Sequence, residues 1–305
     1  IKIALVGQPN VGKSMLINSI SNARLKVGNF SGVTVSKEQV FFDYKNFHIE
    51  IVDLPGAYSL NDYTIEEKVT KDFLNNEKYD IILNVLDSTN LQRNLLLTAE
   101  LLTLDKKMII ALNMSDEAEK ESILIDEIQL SKILGKPCIK TSAAKKNGIT
   151  KLLDEILLKF QSQKVPSKFF FSNVIEEEIE NISRVLEENK YETTETYRQI
   201  SLGLLKENKN IYKQFHDEPI WIKIQPILTE AFEHLFIHFN SKNIKDIFNE
   251  ERFAFAKGAV IETVKQKNTN TTTLTERFDA ILIHKFFGLP IFLFFMWGLF
   301  QLTFT

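Results

Sequence analysis

The sequence predicts an α/β fold, a mostly parallel sheet with helices on both faces, followed by an all-helical domain and a C-terminal apolar helix. Short apolar runs alternate with helical stretches through the first half of the chain, which is the pattern of a sheet covered by crossover helices. From Phe169 to about Gln266 the apolar spacing is helical. The run Phe286 to Thr305 then carries no charged residue at all.

Taken in order, IKIALV, HIEIVDL, DIILNVLD and KMIIALN are short, continuous apolar runs that read as buried strands. Helices are expected over Lys13–Ser21, Thr64–Asn75, Leu91–Leu104, Ile123–Leu134 and Ile149–Phe160. VFFDYKNFHIEIV differs: it reads as two strands joined by a tight turn near Lys45 and Asn46, making one sheet edge antiparallel. The polar, proline-containing stretch Gln161 to Lys168 marks a boundary, so the first domain is placed at 1–162 and a helical domain at 169–266. In IEEEIENISRVLEE, residues Ile175, Ile179, Ile182, Val185 and Leu186 form one apolar helix face. NTNTTT, from Asn268 to Thr273, is a polar linker. The segment 274–305 reads as an amphipathic lead-in and the start of a first transmembrane helix, its apolar run being about as long as a helix needs to cross hydrocarbon. Gly288, Pro290 and Gln301 are tolerable in such a helix.

Composition excludes the disordered class, with 44% hydrophobic and 25% charged residues. A net charge of −3 gives no sign of a nucleic-acid partner. The one cysteine, Cys138, excludes an internal disulfide, fits a reducing cytosol, and reads as a buried structural thiol. The chain opens at Ile1 inside a probable strand, without Met, and reads as an excerpt of a longer protein.

The turn after the first strand carries the chemistry. Gly7-Gln8-Pro9-Asn10-Val11-Gly12-Lys13-Ser14 fits G-x-x-x-x-G-K-[ST] between a strand and a helix. Its glycines let backbone N–H groups and the helix N-terminus surround a phosphate; Lys13 reaches the outer phosphates and Ser14 binds magnesium. Asp53-Leu54-Pro55-Gly56 ends a strand about forty residues on, so that Asp53 can hold magnesium and the Gly56 N–H can approach a γ-phosphate. Asn113-Met114-Ser115-Asp116 supplies the base pocket. The Asp116 carboxylate can accept from both guanine donors, N1–H and the N2 amino group, which adenine lacks, so it selects GTP over ATP. Asn113 ties this loop to the phosphate loop, and the N–H groups of Ser142, Ala143 and Ala144 can bind guanine O6. In Val27 to Val35 a glycine-containing switch is expected, with Thr34 completing the magnesium shell. The full nucleotide-contacting set adds Val11, Met15, Gly32 and Met114, and the catalytic set is Lys13, Thr34 and Gly56.

With these motifs in view, residues 1–160 resemble a P-loop G domain of the translation-factor-related GTPases, and more narrowly the FeoB family of ferrous iron transport proteins. GNFSGVTV, DLPGAYSL, LDSTNLQRNLLLTAELL, ALNMSDEAEK and LIHKFFGLPIFLFFMWGLFQLTF carry the resemblance. Phe30, Ser31 and Ser36 depart from the family's frequent Trp, Pro and Glu. The resemblance implies ferrous iron uptake at the bacterial inner membrane, with this region mainly cytoplasmic. It further implies a helical region like a guanine-nucleotide dissociation inhibitor, and a homo-oligomer with small accessory proteins. The cations Arg277 and Lys285 before the apolar run agree with a cytoplasmic placement.

Many G proteins place Gln directly after D-x-x-G to orient the attacking water; here Ala57 stands there, so slow hydrolysis, or water held by backbone groups, is expected. In related GTPases an Asn at the position of Asn10 helps bind potassium, which implies potassium-stimulated turnover. The alternative to the iron-transport reading is a soluble ribosome-assembly or tRNA-modifying GTPase, which would need a basic RNA-binding domain. A nucleotide sensor without turnover is a third reading. Glu176, Glu177, Glu178 and Glu180 read as a solvated helix face, His234 and His238 as structural or exposed, and Arg93 as a surface residue.

Overall fold

The computed structural model describes residues 1–20, 24–30, 35–60, 63–163, 169–193, 195–266 and 288–304. The switch candidates Gly32 and Thr34, the polar linker 268–273, Arg277 and Lys285 lie outside the described residues.

A seven-stranded sheet is ordered β2-β3-β4-β1-β5-β6-β8. Its strands are β1 (Lys2–Gly7), β2 (Arg24–Asn29), β3 (Ser36–Tyr44), β4 (Phe47–Asp53), β5 (Ile81–Asp87), β6 (Met108–Asn113) and β8 (Cys138–Lys140). Strands β4, β1, β5, β6 and β8 run parallel, and β2 and β3 form the antiparallel edge. The β3–β4 turn falls at Lys45, which has φ +51°. Tyr44 Oη and Lys45 Nζ both donate to Asp154, at 2.7 and 2.6 Å.

Alternation along β1 sends its side chains to opposite sheet faces. Ile3 and Leu5 join Leu16 and Ile17 of α1 (Lys13–Ser19) and Leu152, Leu153, Ile156 and Leu157 of α6 (Ile149–Gln161) on one face. Ala4 and Val6 join the other face, under α2 (Ile65–Asn76), α3 (Leu91–Leu102) and α5 (Glu127–Leu134).

The second core does not stop at the predicted boundary. It runs on into α7 (Asn173–Glu188), α8 (Tyr197–Leu205), α9 (Lys209–His216), α10 (Trp221–His238) and α11 (Ile244–Thr263). Residues Ile1–Lys265 accordingly form one compact unit. A buried ion pair joins Glu100 of α3 to Arg252 of α11, and the Leu60 N–H donates to the other oxygen of Glu100 at 2.5 Å.

Three local expectations need correction. Ile123–Leu134 is not one helix: Ile123–Ile125 is strand β7, and α5 begins after Asp126. The Asp126 carboxylate caps α5 by accepting from the N–H groups of Ile128 and Gln129 at 3.1 and 2.9 Å. Val264–Gln266 is strand β9, paired with β7, so the helical segment ends in sheet. A short helix α4 (Ser115–Lys120) follows β6 where none was expected.

The acidic run on α7 is only partly solvated. Glu178 is buried and its Oε1 lies 2.5 Å from His234 Nδ1 of α10, while Glu176 pairs with Arg198 of α8. Among the described residues no cluster of His, Cys, Asp and Glu could hold a metal ion.

The second unit, Gln266–Thr305, contains the apolar helix α12 (Gly288–Phe304). Its 17 residues span about 25 Å at the helical rise. Among the described residues no helix is long and apolar enough to cross a membrane.

Candidate functional site

The sequence folds into a tight loop at the C-terminal end of β1 because two glycines remove side chains where backbone must turn. Gly12 has φ +85°, and a Cβ there would come within 2.5 Å of Asn113 Nδ2. At Gly7 a Cβ would meet the Val85 carbonyl oxygen at 2.6 Å. Asn10 also adopts a left-handed conformation, with φ +67° and an exposed side chain. The helix that follows has no side-chain cap at its N-terminus, so the turn presents backbone to whatever sits there.

The D-x-x-G segment lies directly against this loop. Gly56 packs on Pro9, where a Cβ would fall 2.9 Å from the Pro9 nitrogen. The Ala57 N–H donates to the Gly7 carbonyl at 3.3 Å. Asp53 ends β4 opposite Glu38 of β3. Its Oδ1 is buried without a hydrogen-bond partner. Burial pushes the Asp53 carboxyl up to about 6; the Lys13 ammonium opposes this and Glu38 adds to it. Burial in turn holds Lys13 below the ordinary lysine range, partly offset by Asp53. A buried carboxylate oxygen lacking a donor is what a divalent cation would satisfy, so the residues present fit magnesium.

The third wall is built by Asn113, which is 1% exposed. Its Nδ2 donates to the Val11 carbonyl at 2.9 Å, and its Oδ1 accepts from the Ala143 N–H at 3.1 Å and the Thr141 hydroxyl at 3.4 Å. One amide thereby straps the phosphate loop, the N-x-x-D loop and the turn after β8 together. Met114, at φ +57°, sets its methyl 3.6 Å from where a Gly12 Cβ would lie. Asp116 sits in the first turn of α4, its carboxyl held below the usual range by the Ser142 hydroxyl and then by the Lys145 ammonium. Ser142 and Ala143 are buried, and Ala144 is exposed on the same turn. Ser14 and Met15 are exposed in the first turn of α1.

Residues Gly7 to Ser14, Asp53, Gly56, Asn113, Met114, Asp116, Ser142 and Ala143 are thus gathered by strand ends, whereas Gly32 and Thr34 lie outside the described residues. Sequence reasoning missed a tether behind the loop. Gln8, buried, donates through Nε2 to the Arg93 carbonyl at 2.7 Å, and the Arg93 guanidinium stacks 4.7 Å over the Tyr58 ring. It also missed the ion pair between Lys145 and Asp116 at 3.3 Å.

Loops that converge in this way from the ends of parallel strands define a P-loop G domain, here sharing a core with a helical domain. A family model described as ferrous iron transport protein B matches residues 1–156, and one described as the FeoB cytosolic helical domain matches 171–265. The chain belongs to the FeoB family. It is 42% identical over its whole length to the Fe(2+) transporter FeoB of Campylobacter jejuni, of which it covers 38%. It is 58% identical over 180 residues, 56% of this chain and 28% of the relative, to that of Helicobacter pylori. The chain therefore spans well under half the length of these relatives. A GDP-bound variant of NFeoB from S. thermophilus superposes with TM-score 0.76 at 30% identity, covering 87% of this chain and 99% of that one. The apo cytosolic domain of T. maritima FeoB gives 0.73 at 28% identity, covering 87% and 99%.

Proposed function

We propose that this chain binds guanine nucleotides and hydrolyses GTP to GDP and phosphate as the cytoplasmic module of a bacterial inner-membrane ferrous iron transporter. The observation that carries this reading is the Asn113 strap, which fixes a base-reading carboxylate in register with a phosphate cradle. The FeoB relatives supply the transport context, and the GDP-bound relative supplies the ligand class.

In this reading Gly7 to Ser14 and the α1 N-terminus hold the phosphates, and Lys13 neutralises the outer ones. Asp116 reads guanine, with the N–H groups of Ser142, Ala143 and Ala144 facing O6. Ser14, Asp53 and Thr34 are the magnesium-side groups; the ion's contribution, when bound, is positive charge beside the transferring phosphoryl group. Gly56 brings its N–H to the γ-phosphate because its missing Cβ permits contact with Pro9. Ala57 is buried and has no group to orient water, so that task falls to backbone, and turnover is slow. Calorimetric titration with GDP and GTP tests the binding: no heat with either sinks the proposal. GTP binding without phosphate release would leave the nucleotide-sensor reading instead.

Asn10 presents an exposed amide on the phosphate loop, and we assign it as a residue that would hold a potassium ion, which when bound would supply positive charge beside the phosphates. Turnover should be at least about tenfold faster in potassium than in sodium buffer, with Asn10→Ala losing most of that difference. Equal rates in the two buffers would count against the assignment. The domain limits 1–162, 169–266 and 274–305, a first membrane span beginning in the last of these, and a homo-oligomer with accessory proteins complete the reading.

A further inference from the structure

We propose that Lys145 is a specificity-determining residue that occupies the base-reading carboxylate of Asp116 until a purine displaces it, and so sets both guanine affinity and discrimination at position 2 of the ring. The inference rests on the nucleotide reading above and deepens it.

Lys145 Nζ lies 3.3 Å from Asp116 Oδ2. The Asp116 side chain is 13% exposed and that of Lys145 is 52% exposed. The Ser142 hydroxyl also bonds the Asp116 carboxylate, so the acid keeps a partner when the lysine leaves, and a half-exposed lysine loses little by returning to water. Guanine would bring two donors, N1–H and the N2 amino group, to a site already filled by a cation. Binding therefore exchanges an ion pair for a charge-assisted bidentate hydrogen bond, and having to displace the lysine weakens net affinity.

The lysine is delivered there by its backbone. Ser142 and Asn147 exchange backbone hydrogen bonds at 3.0 and 3.1 Å across the turn. The Lys145 N–H donates to Ser142 Oγ at 3.2 Å. Lys146 has φ +54° and Gly148 φ +75°, and a Cβ on Gly148 would strike the Lys140 carbonyl oxygen at 2.1 Å. These bonds and backbone angles place Lys145 near the tip of the turn. The side chain alone is left to choose between Asp116 and solvent.

A second consequence follows from chemistry. A purine with a carbonyl in place of the amino group at position 2 offers Asp116 an acceptor where it needs a donor, and is rejected. Lys145 supplies a donor at that place, which softens the rejection. Its charge therefore lowers guanine affinity and raises tolerance of 2-oxo purines.

The test uses the purified chain with GDP and xanthosine diphosphate. Lys145→Met keeps the aliphatic stem and removes the charge. It should lower the GDP dissociation constant about threefold to fivefold, the scale of one partly exposed ion pair, and raise the preference for GDP over xanthosine diphosphate by a similar factor. The gap from the parent should narrow as salt is added, and Lys145→Arg should behave as the parent. GDP binding by Lys145→Met that is unchanged or weaker overturns the proposal. So do shifts of the two ligands in parallel, which a purely structural lysine would give. If the parent itself binds no GDP, it is the nucleotide reading that fails.

Discussion

Asn113→Ala should weaken GDP binding by about a hundredfold and lower stability by about 2–3 kcal/mol, because both losses come from one side chain. Its amide nitrogen and oxygen serve the Val11 carbonyl, the Ala143 N–H and the Thr141 hydroxyl, all in a region closed to water. Truncation leaves a buried carbonyl and a buried N–H unsatisfied, and each such orphan costs roughly 1–3 kcal/mol. The binding loss is the larger because the phosphate cradle and the base pocket are then held in register only by their own strands. Fluorescence titration with a labelled GDP and the urea midpoint of the free chain measure the two effects. A variant that retains parental affinity while losing stability would show that the strap serves folding alone.

Asp53→Asn should have opposite effects on stability and on turnover. Burial pushes the Asp53 carboxyl up to about 6 from an ordinary 3.8, so the folded state holds the proton more tightly than the unfolded one. The sign is then fixed by linkage. The contribution to stability is greatest below pH 3.8, falls as pH rises through about 6, and stays low above that. At neutral pH the ionised group therefore costs about 1–3 kcal/mol, which an amide does not incur. Asp53→Asn should raise the urea midpoint of the nucleotide-free chain at pH 7.5 and leave it unchanged at pH 3.5. Magnesium-supported GTP turnover should fall by about a hundredfold or more, since the amide supplies no charge to the ion. A variant less stable than its parent at pH 7.5 would contradict this account of Asp53.

These two residues also show how much of the molecule was legible beforehand. Motifs set by short-range geometry were readable: G-x-x-x-x-G-K-S needs a strand before it and a helix after it, and both are there. The apolar runs became β1, β4, β5 and β6 within a residue or so of the expected limits. Less readable were elements held only by distant partners. Strand β2, RLKVGN, has little apolar signal of its own and exists through its ladder with β3. Strand β9 is three residues at the end of a long helix, paired with a β7 that lies well over a hundred residues earlier. The break before α5 did leave a local sign, since Asp126 is followed at the third position by Gln129, a pattern that starts helices. Within the site, the glycines and Asn113 were predictable from backbone needs. The tether from Gln8 through Arg93 to Tyr58 was not, because it depends on where the start of α3 meets the loop.

On the side away from the sheet, α3 and α5 are packed by α11, which carries α7 to α10 with it, and the pair of Glu100 and Arg252 is set into that layer. Cutting the chain in its proline-bearing stretch would thus bare the apolar flank of α3 and α5 and strand a carboxylate on one fragment and its guanidinium on the other. The helical portion is better regarded as a structural part of the first compact unit than as cargo attached to it.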